Sequence, residues 1–258
     1  MCLILFAFKQ HPDYPLLVIA NRDEFYERPT QSAAWWQDHP DILAGRDLQA
    51  GGTWLGVNQR GHFAAVTNVR EPGAMSPGKK SRGELPTGFL SADVEPQAYL
   101  ETIQKQSGLY SGFNLLVGDQ NQLWFLSNRQ ESIRVLEPGI YGICNGQFNE
   151  PWPKLKTGRE ALRSVLKRPF TDQNLMSILT DSSTAPPDQL PETGVSSEIE
   201  HLLSSRFICS DNYGTRASTL VSFHATNTVE FIEQNYNSAG HQGDAIKTKF
   251  TISKKTLP

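Results

Sequence analysis

Two short apolar runs open the chain: residues 2 to 8 (Cys-Leu-Ile-Leu-Phe-Ala-Phe) and residues 16 to 20 (Leu-Leu-Val-Ile-Ala). The seven residues between them, Lys9-Gln10-His11-Pro12-Asp13-Tyr14-Pro15, carry two prolines and an aspartate that break any periodic element. This pattern predicts a β-hairpin. If Phe8 pairs with Leu16, antiparallel register carries back to set Cys2 opposite Arg22, with cross-strand Cβ atoms about 5 Å apart. Neither run alternates polar with apolar positions, so both faces are covered, and the pair belongs at the centre of a layered sandwich.

Further along, Thr53 to Asn58 and His62 to Asn68 read as strands joined by Gln59-Arg60-Gly61, and Phe113 to Val117 with Leu123 to Ser127 as a second hairpin. Ile133 to Leu136 and Ile140 to Cys144 follow as another pair, and Ala217 to Phe223, Val229 to Glu233 and Phe250 to Ile252 as the last strands. Helical spacing predicts helices over Pro96 to Gln106, Lys154 to Lys167 and Thr171 to Leu179, and Ser197 to Glu200 reads as a capping box opening a helix through Leu203. Residues 25 to 51 and 69 to 95 show no sustained period and read as long connections. Trp35 and Trp36, inside the first of these, either line an apolar pocket or seal a core edge. Strands arrive as antiparallel neighbours with helices clustered between them, which predicts an α+β fold of two stacked antiparallel sheets with outer helices and argues against a doubly wound nucleotide-binding sheet.

Composition narrows the class. A chain of 258 residues, 38% hydrophobic and 20% charged, is expected to form one domain over residues 1–258. Its net charge of -3 gives no reason to expect a nucleic-acid partner. The run Pro77-Gly78-Lys79-Lys80-Ser81-Arg82-Gly83 reads as a solvated basic loop. The apolar start has neither a basic lead nor a small-residue cleavage site, so it does not read as a signal peptide, and no run approaches the roughly 20 apolar residues of a membrane span. The three cysteines, Cys2, Cys144 and Cys209, suggest no disulfide framework. A cytoplasmic, reducing setting is expected. The six histidines (11, 39, 62, 201, 224 and 241) form no ligand pair at helical spacing, so neither metal nor cofactor is expected. A Cys-His pairing through His62 or His224 has no local signature behind it.

Cys2 has a property that interior cysteines lack. Removal of Met1 would leave a free α-amine on the residue that bears the thiol. An amine with a pKa of about 8 can act as base for its own side chain. Arg22 alongside is expected to favour the thiolate.

The opening Met-Cys, the block from Asn21-Arg22-Asp23-Glu24 to Pro29, the block from Gly51-Gly52-Thr53-Trp54 to Asn58, and Tyr213-Gly214-Thr215-Arg216 resemble the NRDE family, that of transport and Golgi organisation protein 2. Ser81-Arg82-Gly83, Gly112-Phe113-Asn114-Leu115 and Asn145-Gly146 followed by Pro151-Trp152-Pro153-Lys154 extend the match over most of the chain. The resemblance implies an N-terminal-nucleophile hydrolase fold, a four-layer αββα sandwich related to penicillin V acylases and bile-salt hydrolases. It further implies that Asn68 and Asn145, which the residues alone would make turn formers, donate to an oxyanion. Cys2, Arg22, Asp23 and Arg216 complete the expected site, with Arg216 holding it together or binding an anionic substrate end. Whether Asp23 or Glu24 faces the amine is left open. The expected ligand is a small acyl substrate, an amide or thioester. The rival is a non-catalytic carrier of an apolar ligand, lipid or haem, which family links to Golgi organisation, lipid metabolism and haem movement suggest. Oligomeric state is not indicated.

Overall fold

The computed structural model describes residues 2–71, 79–130, 132–238, 240 and 243–253. Met1, His241 and the Pro77-Gly78 part of the basic run lie outside them.

The opening hairpin forms as its pattern dictates. Strands β1 (Cys2–Phe8) and β2 (Leu16–Phe25) pair antiparallel with Phe8 opposite Leu16 and Cys2 opposite Arg22. They sit inside a six-stranded sheet of order β10-β1-β2-β11-β12-β13, whose other members are β10 (Gly139–Ile143), β11 (Tyr213–Phe223), β12 (Thr228–Asn235) and β13 (Ile246–Thr251). A seven-stranded sheet runs in sequence order: β3 (Thr30–Trp35), β4 (Ile42–Asp47), β5 (Leu55–Asn58), β6 (Phe63–Asn68), β7 (Phe113–Gly118), β8 (Leu123–Ser127) and β9 (Arg134–Val135).

Side-chain alternation separates three cores. Ile4, Phe6, Phe8, Leu16 and Val18 join Val57, Phe63 and Phe125 between the sheets. Leu3, Leu5, Leu17 and Ile19 pack on the other face of the six-stranded sheet, beneath α3 (Pro153–Leu166) and α4 (Asp172–Leu179). The outer face of the seven-stranded sheet is covered by α1 (Glu84–Ser91) and α2 (Pro96–Lys105). Both sheets are therefore covered on both faces, in the αββα order. Because strand side chains alternate, the even residues of β1 and β2 point between the sheets and the odd ones toward α3 and α4.

Several connections differ from the sequence reading. Residues 25 to 51 contain β3 and β4: β3 is an edge strand that buries Ala33 and breaks its register between Gln31 and Ala34, so its pattern has no usable period. Residues 69 to 95 contain α1, concealed by Pro86 and Gly88 within its eight residues. The short α5 (Ser197–Leu202) is capped one residue earlier than expected, by Ser196, whose side chain accepts from the Ile199 N–H. Trp36 seals the core, its ring N–H donating to the Ala44 carbonyl at 3.0 Å, and Trp35 packs between the sheets against Phe250.

Candidate functional site

Where β1 begins and β2 runs past it, polar residues replace apolar ones at the end of the six-stranded sheet, and the alternation sorts them onto two faces. Asn21 and Asp23 point to the helix side. The Asn21 amide donates to the Leu179 and Arg206 carbonyls at 2.9 and 2.8 Å, and its oxygen accepts from Ser218 at 2.5 Å. Asp23 accepts from the Thr215 hydroxyl at 2.8 Å. Burial pushes its carboxyl up, opposed first by the chain-terminal ammonium and then by Lys154, Thr215 and Arg22. Glu24 accepts from the Phe25 N–H at 2.9 Å and lies 3.8 Å from Arg28, on the wall of the cavity that Cys2 also lines.

Cys2 and Arg22 point between the sheets, and the sheets part there around a cavity of about 540 Å³ that both residues line. Arg22 is 4% exposed, stacked 4.3 Å from the Trp54 ring centre and donating to Thr30 at 3.1 Å. Cys2 is half-buried. Its thiol is pushed up from the ordinary cysteine range, because burial outweighs the help from the terminal ammonium and Arg22, and Asp23 and Glu24 oppose that help. Arg22 does draw the thiol down, as expected, but burial outweighs it, so the net shift is upward and not the downward one the sequence suggested.

Asn68 ends β6 and lines the same cavity. It arrives from the other sheet through a buried polar stitch. Thr67 donates to the Cys144 carbonyl at 2.6 Å, the Asn114 amide donates to the Gly146 carbonyl at 2.9 Å, and the Asn145 amide donates to the Asn68 carbonyl at 2.9 Å. The β1–β10 register, which sets Ile4 against Ile143, brings Asn145 opposite Cys2 if carried two residues further. Asn145 itself is 1% exposed and borders a neighbouring cavity of about 330 Å³ with Arg70 and Trp152, not the Cys2 cavity. Arg216 occupies the β-bulge where the β2–β11 register shifts between Thr215 and Ala217. The bulge aims its guanidinium at the Phe25, Tyr26 and Arg28 carbonyls, which accept at 2.9, 3.0 and 3.2 Å. It braces the turn after β2 and is not on the cavity wall.

The sequence reading missed Lys79, Lys80 and Arg82, which it placed in a solvated loop: all three line the Cys2 cavity. The signal that marks them is glycine. A Cβ on Gly52 would overlap the Gly83 carbonyl, so the Gly51-Gly52-Thr53 and Ser81-Arg82-Gly83 blocks lie backbone against backbone, closed by the Thr53 N–H donating to Gly83 O at 3.2 Å. Among the described residues no group of three His, Cys, Asp or Glu side chains is placed to hold a metal ion, and no helix is long and apolar enough to cross a membrane.

Comparison with known proteins agrees with this architecture. The family model for Transport and Golgi organisation 2 matches residues 1–238. The human transport and Golgi organization protein 2 homolog is 34% identical over 257 residues, covering 91% of this chain and 93% of that protein. The Drosophila melanogaster protein of that name is 28% identical over 276 residues, covering 96% of each. Among solved structures, a point mutant of the conjugated bile acid hydrolase from Clostridium perfringens superposes over the whole of both chains with a TM-score of 0.52 at 9% identity, a likeness of fold. Two stacked antiparallel sheets with outer helices are the arrangement of such N-terminal-nucleophile hydrolases. The chain is a member of the Transport and Golgi organisation 2 family.

Proposed function

We propose that this protein is a cysteine N-terminal-nucleophile hydrolase or acyltransferase acting on a small amide or thioester. The observation that carries the reading is the shared cavity: a half-buried thiol at the head of a central strand, with an asparagine from the opposite sheet on the same wall. Met1 is removed, and the α-amine of Cys2 takes the thiol proton as sulfur attacks the carbonyl carbon. The C=O π pair moves onto oxygen, and the tetrahedral adduct collapses to a Cys2 thioester, expelling the leaving group with that proton. Water or a second nucleophile then accepts the acyl group. Asp23 orients the amine, Arg22 fixes the thiol from across the hairpin, and Asn68 donates to the oxyanion. Asn145 supports Asn68 by holding its carbonyl, and Arg216 braces the turn that carries Arg28. Because the resting thiol is held neutral, the proton leaves during attack, as a general base at the nucleophile itself allows.

The raised thiol also favours a second reading, a carrier in which Cys2 is unreactive. The wall counts against an apolar cargo, since Arg22, Arg28, Lys79, Lys80 and Arg82 line it together with Asp23, Glu24 and Asp47, and Trp54, Val66 and Ala50 are its apolar part. Treating the mature protein with p-nitrophenyl acetate and mapping the product by mass spectrometry separates the two. Acetyl-Cys2 in a chain lacking Met1 supports the hydrolase. Failure of Cys2 to acetylate in such a chain leaves the carrier.

A further inference from the structure

We propose that Arg82 is a catalytic residue of the Cys2 site, donating from the seven-stranded-sheet side to the oxygen that becomes negative as Cys2 attacks. The inference rests on the acyl-transfer reading above and names a group which that reading leaves out.

An oxyanion needs donors that are fixed before the reaction and not already engaged. Around this cavity the candidates separate by what they already hold. Arg22 is stacked on Trp54 and donates to Thr30. Arg28 is bound to Asp47 through two nitrogens, at 2.9 and 2.8 Å. Thr53 donates its hydroxyl to the Leu55 carbonyl at 3.0 Å. Asn145 has its amide on the Asn68 carbonyl and borders the adjacent cavity. Lys79 and Lys80 are exposed, and their flexible ammonium groups are free to follow solvent.

Arg82 differs from all of these. It is half-buried and lines the cavity, and of its five donors one N–H donates to the Gly112 carbonyl at 3.2 Å. Its backbone is fixed on both sides. Ser81 accepts from the Gly83 N–H at 3.2 Å, and Thr87 donates to the Gly83 carbonyl at 3.0 Å. Immediately after it α1 begins, with Leu85, Phe89 and Leu90 buried against the sheet. The glycine contact with Gly52 then fastens the whole segment to the strand block that carries Trp54, the residue under Arg22. Burial draws the Arg82 pKa down. Negative charge on the Cys2 sulfur, which the resting neutral thiol does not carry, is the foremost influence that would draw it up, followed by Glu24 and Glu71, with Arg28 opposing. The guanidinium remains a cation throughout. A cation held in this way serves an oxygen that turns negative within the cavity.

The test uses two reactions at one sulfur. Acylation by p-nitrophenyl acetate creates an oxyanion, whereas alkylation by iodoacetamide displaces iodide without one. Arg82→Gln is expected to slow acetylation of Cys2 by about 10²-fold or more, the scale of one lost oxyanion donor. Iodoacetamide labelling of Cys2, read site by site by mass spectrometry, should stay within about threefold of the parent, a margin far smaller than that loss. Arg82→Lys should recover part of the acetylation. If both reactions slow together, Arg82 acts on the thiol or the fold and the proposal is overturned; equal acetylation in parent and R82Q overturns it as well. If the parent itself fails to acetylate Cys2, the acyl-transfer reading falls and the role of Arg82 goes with it, a result distinct from either of the others.

Discussion

Cys2 and Cys144 lie at the same end of the six-stranded sheet, one opening β1 and the other directly following β10, its neighbour. Burial raises the pKa of both thiols. Alternation puts them on opposite faces. Cys144 belongs to the apolar core under α3, fully enclosed, with its carbonyl tied to Thr67 and Asn114. Cys2 points between the sheets, where the apolar filling stops and arginines from two directions line an open cavity. Chemistry at a buried thiol depends less on its own acidity than on which face it occupies and what approaches it there.

The largest expected effect comes from exchanging the two sulfurs. Cys2→Ala should abolish acetylation by p-nitrophenyl acetate, while Cys144→Ala should leave the rate within about twofold and cost about 1 kcal/mol of stability for a small core deletion. Acetylation surviving in C2A would remove the basis for treating the two sites differently.

A smaller contrast lies in the polar stitch between the sheets. Asn68→Ala should slow acetylation by about 10²–10³-fold at nearly unchanged melting temperature. Asn114→Ala, which leaves the Gly146 carbonyl without its side-chain donor, should instead cost about 1–3 kcal/mol in urea titration. Reversal of these two outcomes would place Asn68 in the scaffold.

The weakest effect is in pH. Because the folded chain holds both thiols above their unfolded pKa, it binds more protons than the unfolded chain at alkaline pH. The stability from these thiols is complete below the unfolded cysteine value and is lost as pH rises through the raised, folded ones. Melting temperature should therefore fall from about pH 8 upward, the ordinary thiol range, and Cys144→Ala should flatten that fall. Iodoacetamide should titrate Cys2 with a higher midpoint in the native protein than in urea. A lower native midpoint would mean that the cations outweigh burial.

Much of the site was legible before folding. The hairpin register, and with it the meeting of Cys2 and Arg22, follows from two uninterrupted apolar runs joined by a proline-bearing turn, since a strand pair buried on both faces tolerates no slip. The resemblance added the layered fold. Strands β3 and β4 and helix α1 were not legible, because an edge strand needs few apolar positions and a helix containing Pro86 and Gly88 is held by the sheet beneath it more than by propensity. What the sequence by itself determined is local: which runs pair, which face each side chain takes, and that a cysteine stands at the head of a central strand. Tertiary structure decided which polar groups share its cavity. Asn68 is placed by hydrogen bonds between two sheets, Arg216 is turned away by a bulge, and Arg82 is fixed by glycine against glycine across 31 residues of chain. These placements depend on long-range contacts of backbone and buried amides, and neither periodicity nor charge along the chain encodes them.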